Sequence, residues 1–256
     1  MAETQFRFLK WLWKKDLFCS SLLLQNGAHV ILIDTAVREA FEPHFLPALN
    51  DIDGLKLMVI NTHDHSDHVE CNEPIRNTFP KTVFLQREQV REGSIVEWGG
   101  IRLRVIETPG HSHDSICLLE PESGTLFTGD SVQGIGTTLI GYPLWDDSVS
   151  MIRSMEKLLH MVKAGEIRRI CAGHPFLPGD GSGMYDEKQS ITLLEHSILI
   201  IRDYLASAKT LPEEISTEEA CKLLLERHGA SQDPDWRELA LMQTSRLLAW
   251  RKTISL

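Results

Sequence analysis
The densest chemistry in the sequence is the stretch Thr62-His63-Asp64-His65-Ser66-Asp67-His68, which holds three imidazoles and two carboxylates in seven residues. These side chains are the donors that a borderline cation such as Zn²⁺ takes, and they also accept iron or manganese. Three later positions add one such group each: His111 in Thr108-Pro109-Gly110-His111, Asp130 in Thr128-Gly129-Asp130, and His174 in Ala172-Gly173-His174. Each of the three sits beside a glycine, which lets the backbone pack closely.

Seven candidate ligands exceed the four of a tetrahedral zinc site and suit two metals sharing one carboxylate. The expected division is His63, His65 and His111 on one ion, Asp67, His68 and His174 on the other, and Asp130 as the bridge. Water held by such ions is a stronger acid, its pKa falling from ~15.7 toward about 7. The expected chemistry is hydroxide attack on a carbonyl or phosphoryl centre, with the developing oxyanion stabilised by metal. Asp67 and Asp130 are the candidate catalytic carboxylates, orienting the nucleophile and taking its proton.

The elements that must position these groups are legible around them. Leu57 to Asn61 reads as a buried strand feeding the first cluster, because its apolar run is short and partly β-branched. A helix would point His63, His65 and Asp67 to different faces, whereas a tight loop fans them around a point. Leu17 to Leu24 and His29 to Ile33 read as strands about a Gln25-Asn26-Gly27 turn. Trp11 and Trp13 read as the apolar face of a strand before them. Arg38 to Asn50 looks helical, broken or bent by Pro43 and Pro47. A short helix is expected within Val69 to Thr78 and a strand over Thr82 to Gln86. Ile95 to Trp98 pairs with Ile101 to Glu107 around Gly99-Gly100, and Ser115 to Leu119 with Thr125 to Thr128. Asp147 to Val162 has helical spacing, and Ile167 to Cys171 reads as a last strand. From Asp186 the pattern turns all-helical. One amphipathic helix carries Leu194, Ile198, Ile201 and Leu205. A second follows the Ser216/Glu219 capping pair, and a third starts at Asp233-Pro234. The division expected is a catalytic body over residues 1–185 and a helical extension over 186–256.

Composition narrows the function class. The chain of 256 residues is 42% hydrophobic and 24% charged, as in a globular protein, and its net charge is −10. That balance argues against a nucleic-acid partner without excluding one. The five cysteines are odd in number and widely spread, which suits buried free thiols in a reducing compartment. No apolar run approaches the roughly 18 residues of a membrane span, and the basic residues among the first fifteen do not suit a signal peptide. A cytoplasmic protein without a membrane partner is expected. The apolar stripe of the helical extension offers a surface for a homodimer.

The His-x-His-x-Asp-His motif at His63 to His68, followed in order by His111, Asp130 and His174, resembles the metallo-β-lactamase superfamily. The resemblance covers about Leu17 to Pro178. It implies an α/β fold, an αββα sandwich with a two-zinc site at one edge, and it implies that Asp34 steadies the metal loop. A bridging Asp130 resembles the glyoxalase II, lactonase, thioesterase and nuclease branches, since the β-lactamases tend to carry Cys or Ser there. Gly129 to Thr138, the helix after it and Gly173-His174-Pro175 look most like the lactamase-β-like group of endoribonucleases and polyketide thioesterases. Gln133 stands where N-acyl homoserine lactonases carry Tyr, and the Gly-Cys-Gly-Arg pattern of glyoxalase II is absent after Asp130. The reading favours hydrolysis of a small ester or thioester, with an endoribonuclease, a lactonase or a glyoxalase II-like hydrolase as alternatives. His113, Tyr142, Trp145, Phe176 and Leu177 are candidates for lining a substrate pocket, and Trp145 and Phe176 are equally suited to the core beneath the extension. Cys71, Ser115 and Ser131 are read as bystanders, a free thiol and two loop hydroxyls.

Overall fold
The structure is a computed structural model that describes residues 4–14, 17–52, 54–133, 142, 144–174 and 183–251. Its first sheet has the order β1-β2-β3-β4-β5, from β1 (Gln5–Lys14), β2 (Leu17–Asn26), β3 (His29–Ile33), β4 (Lys56–Ile60) and β5 (Val83–Phe84). Helix α1 (Leu46–Asn50) lies between β3 and β4, and α2 (Ser66–Val69) and α3 (Asn72–Thr78) lie between β4 and β5. The second sheet comprises β6 (Ile95–Trp98), β7 (Ile101–Glu107), β8 (Ile116–Glu120), β9 (Thr125–Phe127), β10 (Arg169–Cys171) and β11 (Met184–Asp186), with α4 (Ser148–Lys163) between β9 and β10. Three helices close the chain: α5 (Glu187–Lys209), α6 (Thr217–His228) and α7 (Arg237–Trp250).

Side-chain alternation divides each inner strand between two layers. Leu22, Leu24, Ile31, Ile33, Met58 and Ile60 point between the sheets, where they meet Ile101, Leu103, Val105, Ile116, Leu118 and Phe127. Their neighbours Leu23, Val30, Leu32, Leu57 and Val59 face outward against Phe45, Ala48, Leu49 and Ile75. On the far side Ile106, Cys117, Leu119, Leu126 and Ile170 pack against α4 and the closing helices. Burial on both faces explains why these strands read as continuous apolar runs. The layers are helix, sheet, sheet, helix, as the resemblance implied. The closing helices share their apolar core with α4 and the outer face of the second sheet.

Most expected elements are present, and the departures are local. The segment Arg38 to Asn50 becomes a 3₁₀ turn, a π turn over Phe41–Phe45 and the short α1; Pro43 and Pro47 lack the amide hydrogens a continuous helix needs. The strand expected over Thr82 to Gln86 is only Val83–Phe84, since Gln86 caps a 3₁₀ turn through reciprocal bonds with Gln89. The sequence reading missed β11, three residues long and dependent on pairing with β10.

Direction of travel places the site. Strands β7 and β9 both run antiparallel to β8, and β10 runs parallel to β9. The C-terminal ends of β7, β9 and β10 therefore share one edge, and they lead into His111, Asp130 and His174. The first sheet joins there through Ser20, whose amide and hydroxyl both donate to the Gly173 carbonyl, at 2.9 and 2.8 Å. Ile116 donates to the Thr62 carbonyl at 2.9 Å.

Candidate metal centre
The loop after β4 bends at Thr62 and His63, and His65, whose backbone is extended, is the N-cap of the single turn α2. His63 and His65 thus leave loop backbone, while Asp67 and His68 leave a helical turn. The seven residues fall into two groups: His63, His65 and His111, and Asp67, His68, Asp130 and His174. Within each group the ligand atoms lie within 4.8 Å of one another. His65 Nδ1 is 3.0 Å from both His63 Nε2 and His111 Nε2. In the second group His174 Nε2 is 3.1 Å from Asp130 Oδ2 and 3.4 Å from Asp67 Oδ2, and His68 Nε2 is 3.3 Å from Asp130 Oδ1. Asp130 Oδ2 is also 3.5 Å from His111 Nε2, so this carboxylate touches both groups.

Asp34 holds the loop from behind. Its buried carboxylate accepts from the Thr62 amide (2.7 Å), the Thr62 hydroxyl (2.9 Å) and His68 Nδ1 (2.8 Å). The last bond holds a proton on Nδ1, so Nε2 is the nitrogen that faces the cluster and can ligate once its own proton is displaced. Asp34 has φ +60, a left-handed conformation that Asp tolerates better than most residues. Gly129 has φ +47, and a β-carbon there would collide with the Thr62 side chain, so only glycine lets Asp130 approach.

Burial and charge set the proton positions. Burial, reinforced by the neighbouring His68, pushes the His63 imidazole far below its usual value, and burial also lowers His111. Burial acts the same way on His68 and His174, but carboxylates outweigh it: Asp130, Asp34 and Asp67 hold His68 well above the ordinary value, and Asp130 does so for His174. Against its own burial, Asp130 is held well below the carboxylate range by His174 and His68. His63 and His111 are therefore neutral, and the second group is a buried set of carboxylates and imidazolium ions.

Two observations test whether a cation fits. His68 Nε2 and Asp130 Oδ1 are buried and face each other at 3.3 Å, with no well-directed hydrogen bond to either atom among the described residues, an arrangement that is costly unless something else satisfies them. Three imidazole nitrogens also converge where at most one hydrogen can lie between any two. A divalent ion in each group relieves both conditions, so the donor set fits two metals.

The other candidates lie elsewhere. Tyr142 and Trp145 are buried in the core beneath the closing helices, with the Tyr142 hydroxyl 2.8 Å from Thr244 Oγ1. His113 is exposed and borders a cavity of about 250 Å³ with Arg87, Arg91 and Asp114. Phe176 and Leu177 lie outside the described residues. Cys71 donates to the Val37 carbonyl at 3.0 Å, and burial pushes its thiol up to about 12. Ser131 Oγ is 2.7 Å from Thr108 Oγ1, and Ser115 Oγ is 2.7 Å from Ser112 Oγ. The sequence reading missed Gln133 as a partner of the site; its Nε2 is 3.1 Å from His111 Nδ1. Its position just past the Asp130 loop, where the lactonases of the superfamily carry Tyr, was the available signal.

Two facing sheets, helices on both outer faces, and a His/Asp cluster where strand ends meet define a metallohydrolase sandwich. The chain belongs to the metallo-beta-lactamase superfamily, whose family profile matches residues 15–94 and 86–174. It is a metal-dependent hydrolase. Among curated proteins it is 28% identical over 185 residues to a hydroxyacylglutathione hydrolase of Brucella anthropi, covering 67% of this chain and 68% of the relative. The corresponding Brucella ovis enzyme is 27% identical over 208 residues, covering 76% and 78%. A metallo-beta-lactamase family protein from Thermus thermophilus superposes with TM-score 0.65 at 18% identity, over 96% of this chain and 93% of that one. A beta-lactamase domain protein from Burkholderia ambifaria gives 0.71 at 16%, over 96% and 85%. Among the described residues no helix is long and apolar enough to cross a membrane.

Proposed function
We propose that the chain hydrolyses a small thioester or ester with two divalent ions, zinc by the chemistry of the donors and with iron or manganese also suited. His63, His65 and His111 hold one ion, Asp67, His68 and His174 the other, and Asp130 lies between them. The supporting observation is the position of Asp130 Oδ2, 3.5 Å from His111 Nε2 and 3.1 Å from His174 Nε2. When bound, the ions supply a water of lowered pKa and polarise the substrate carbonyl. Asp67 and Asp130 are the carboxylates placed to orient the attacking oxygen and to accept its proton. Asp34 keeps the His68 tautomer correct. Ser115, hydrogen-bonded within its own loop, and Ser131, hydrogen-bonded to Thr108 ahead of the His111 loop, are left out of the chemistry.

The thioester preference draws on the relatives' name, since a hydroxyacylglutathione is an acylated thiol. The proposal keeps residues 1–185 as catalytic body and 186–256 as extension. It also places the protein in the cytoplasm, in keeping with five cysteines that are all free and buried, and allows a homodimer.

The test is to assay the purified protein against an S-acylglutathione, a lactone and single-stranded RNA, with and without chelator, after measuring metal content. About two metal equivalents and chelator-sensitive thioester cleavage are expected. Cleavage of RNA alone, or thioester turnover that survives complete metal removal, would overturn the proposal.

A further inference from the structure
We propose that helix α7 fixes the orientation of His111 through residues 144–146 and Gln133, and so sets the affinity of the metal seat that His111 shares with His63 and His65. The inference rests on the two-seat reading above and gives the closing helices a part in it. His111 presents Nε2 to His65, and its other ring nitrogen lies 3.0 Å from the Leu144 carbonyl. With a cation on Nε2 the ring hydrogen sits on Nδ1 and donates to Leu144; Gln133 Nε2, 3.1 Å from Nδ1, then turns its own hydrogen to the same carbonyl. Gln133 pins that carbonyl: its Nε2 donates to Leu144 O at 3.0 Å, and its Oε1 accepts from Leu144 N at 3.2 Å. Two residues on, the Asp146 amide donates to the carbonyls of Gly110 (2.7 Å) and His111 (3.2 Å).

The other side of this short segment belongs to α7. Gln243 Oε1 accepts from Trp145 N at 3.3 Å, Arg246 Nη1 donates to Trp145 O at 3.2 Å, and Arg246 Nη2 pairs with Asp146 Oδ1 at 2.6 Å. Leu144 thus faces His111, the Trp145 backbone faces α7, and Asp146 touches both. Gln243 is fully buried, and its Nε2 finds no partner among the described residues. A buried amide with an idle donor costs stability, so the position is not explained by packing alone. Its acceptor oxygen serves the segment that holds His111.

The test uses the full chain, stripped of metal and titrated with Co²⁺ or Zn²⁺. Arg246 and Asp146 are about one-third exposed, so Arg246→Ala leaves the core intact. Wild type takes two equivalents. In Gln133→Ala and Arg246→Ala one equivalent binds roughly 10–100-fold more weakly and the other is unchanged. Arg246→Lys, which keeps a cation against Asp146, restores most of the loss. In a His111→Ala background, Arg246→Ala adds nothing, because the group it positions is gone. If Gln133→Ala loses its far-UV circular dichroism, Arg246→Ala alone decides. Unchanged affinity, equal weakening of both equivalents, or a further loss in the His111→Ala background would overturn the inference. A wild type that binds no metal would instead defeat the two-seat reading.

Discussion

Replacing Asp34 by Asn tests the support of the site without changing any proposed ligand. Asn adopts the left-handed conformation at φ +60 at least as readily as Asp, so the backbone is retained. The oxygen that accepts from the Thr62 amide at 2.7 Å can be kept. The other carboxylate oxygen, 2.8 Å from His68 Nδ1, becomes an NH₂ group. Two donors cannot face each other, so His68 must accept at Nδ1 and carry its hydrogen on Nε2, the atom aimed at Asp67 and Asp130. A protonated nitrogen cannot ligate. A hydrogen bond to a charged group is worth about 1.5–3 kcal/mol, and loss of a histidine's supporting carboxylate weakens metal binding about 10–100-fold, or about 1.4–2.7 kcal/mol; the two routes agree. Competitive titration of the metal-free variant against a chromophoric chelator should show that loss on one equivalent, the other staying as in wild type and circular dichroism unchanged. Two equivalents bound as tightly as in wild type would refute the tautomer argument.

Two further outcomes follow from the geometry. His68 and His174 hold protons well above the usual imidazole value because carboxylates surround them, so a metal must displace protons to enter their seat. Its affinity should fall as pH drops from 8 to 6, by about tenfold per unit for each proton displaced; isothermal titration in buffers of differing ionisation enthalpy counts the protons, and a pH-independent affinity would contradict the assignment. Gly129→Ala should destabilise the metal-free protein by about 2–4 kcal/mol, the left-handed backbone costing roughly 1–2 and the collision with Thr62 the rest. Gly27→Ala, at φ +56 with nothing within 4 Å, should lose only the backbone part, and equal losses in urea unfolding would show that the collision is relieved.

The candidate ligands could be read from the sequence because imidazoles and carboxylates directly after apolar strands have few other uses, and strand polarity brings strand ends to one edge. The two-sheet core was equally open, since alternation within each apolar run divides it between layers. What stayed hidden depends on contacts distant in sequence. The core packing of Tyr142 and Trp145 rests on Thr244 and Gln243, about a hundred positions on, which meet the Tyr142 hydroxyl and the Trp145 backbone amide. Gln133 carries no metal-binding group, and nothing near it in sequence announces that it grips Leu144.

These hidden contacts also separate the two seats. The His68 seat is supported by Asp34, at the end of β3, through the loop after β4, so that support comes from the first sheet. The His111 seat is supported by Leu144, Gln133 and α7, so it depends on the last helix of the chain. If both supports act as their hydrogen bonds imply, Asp34→Asn and Arg246→Ala each remove a different metal equivalent, and the double variant loses both by the sum of the single effects. Coupling much larger than that sum would mean that Asp130 transmits the loss of one ion to the other, and the two seats would then have to be treated as one.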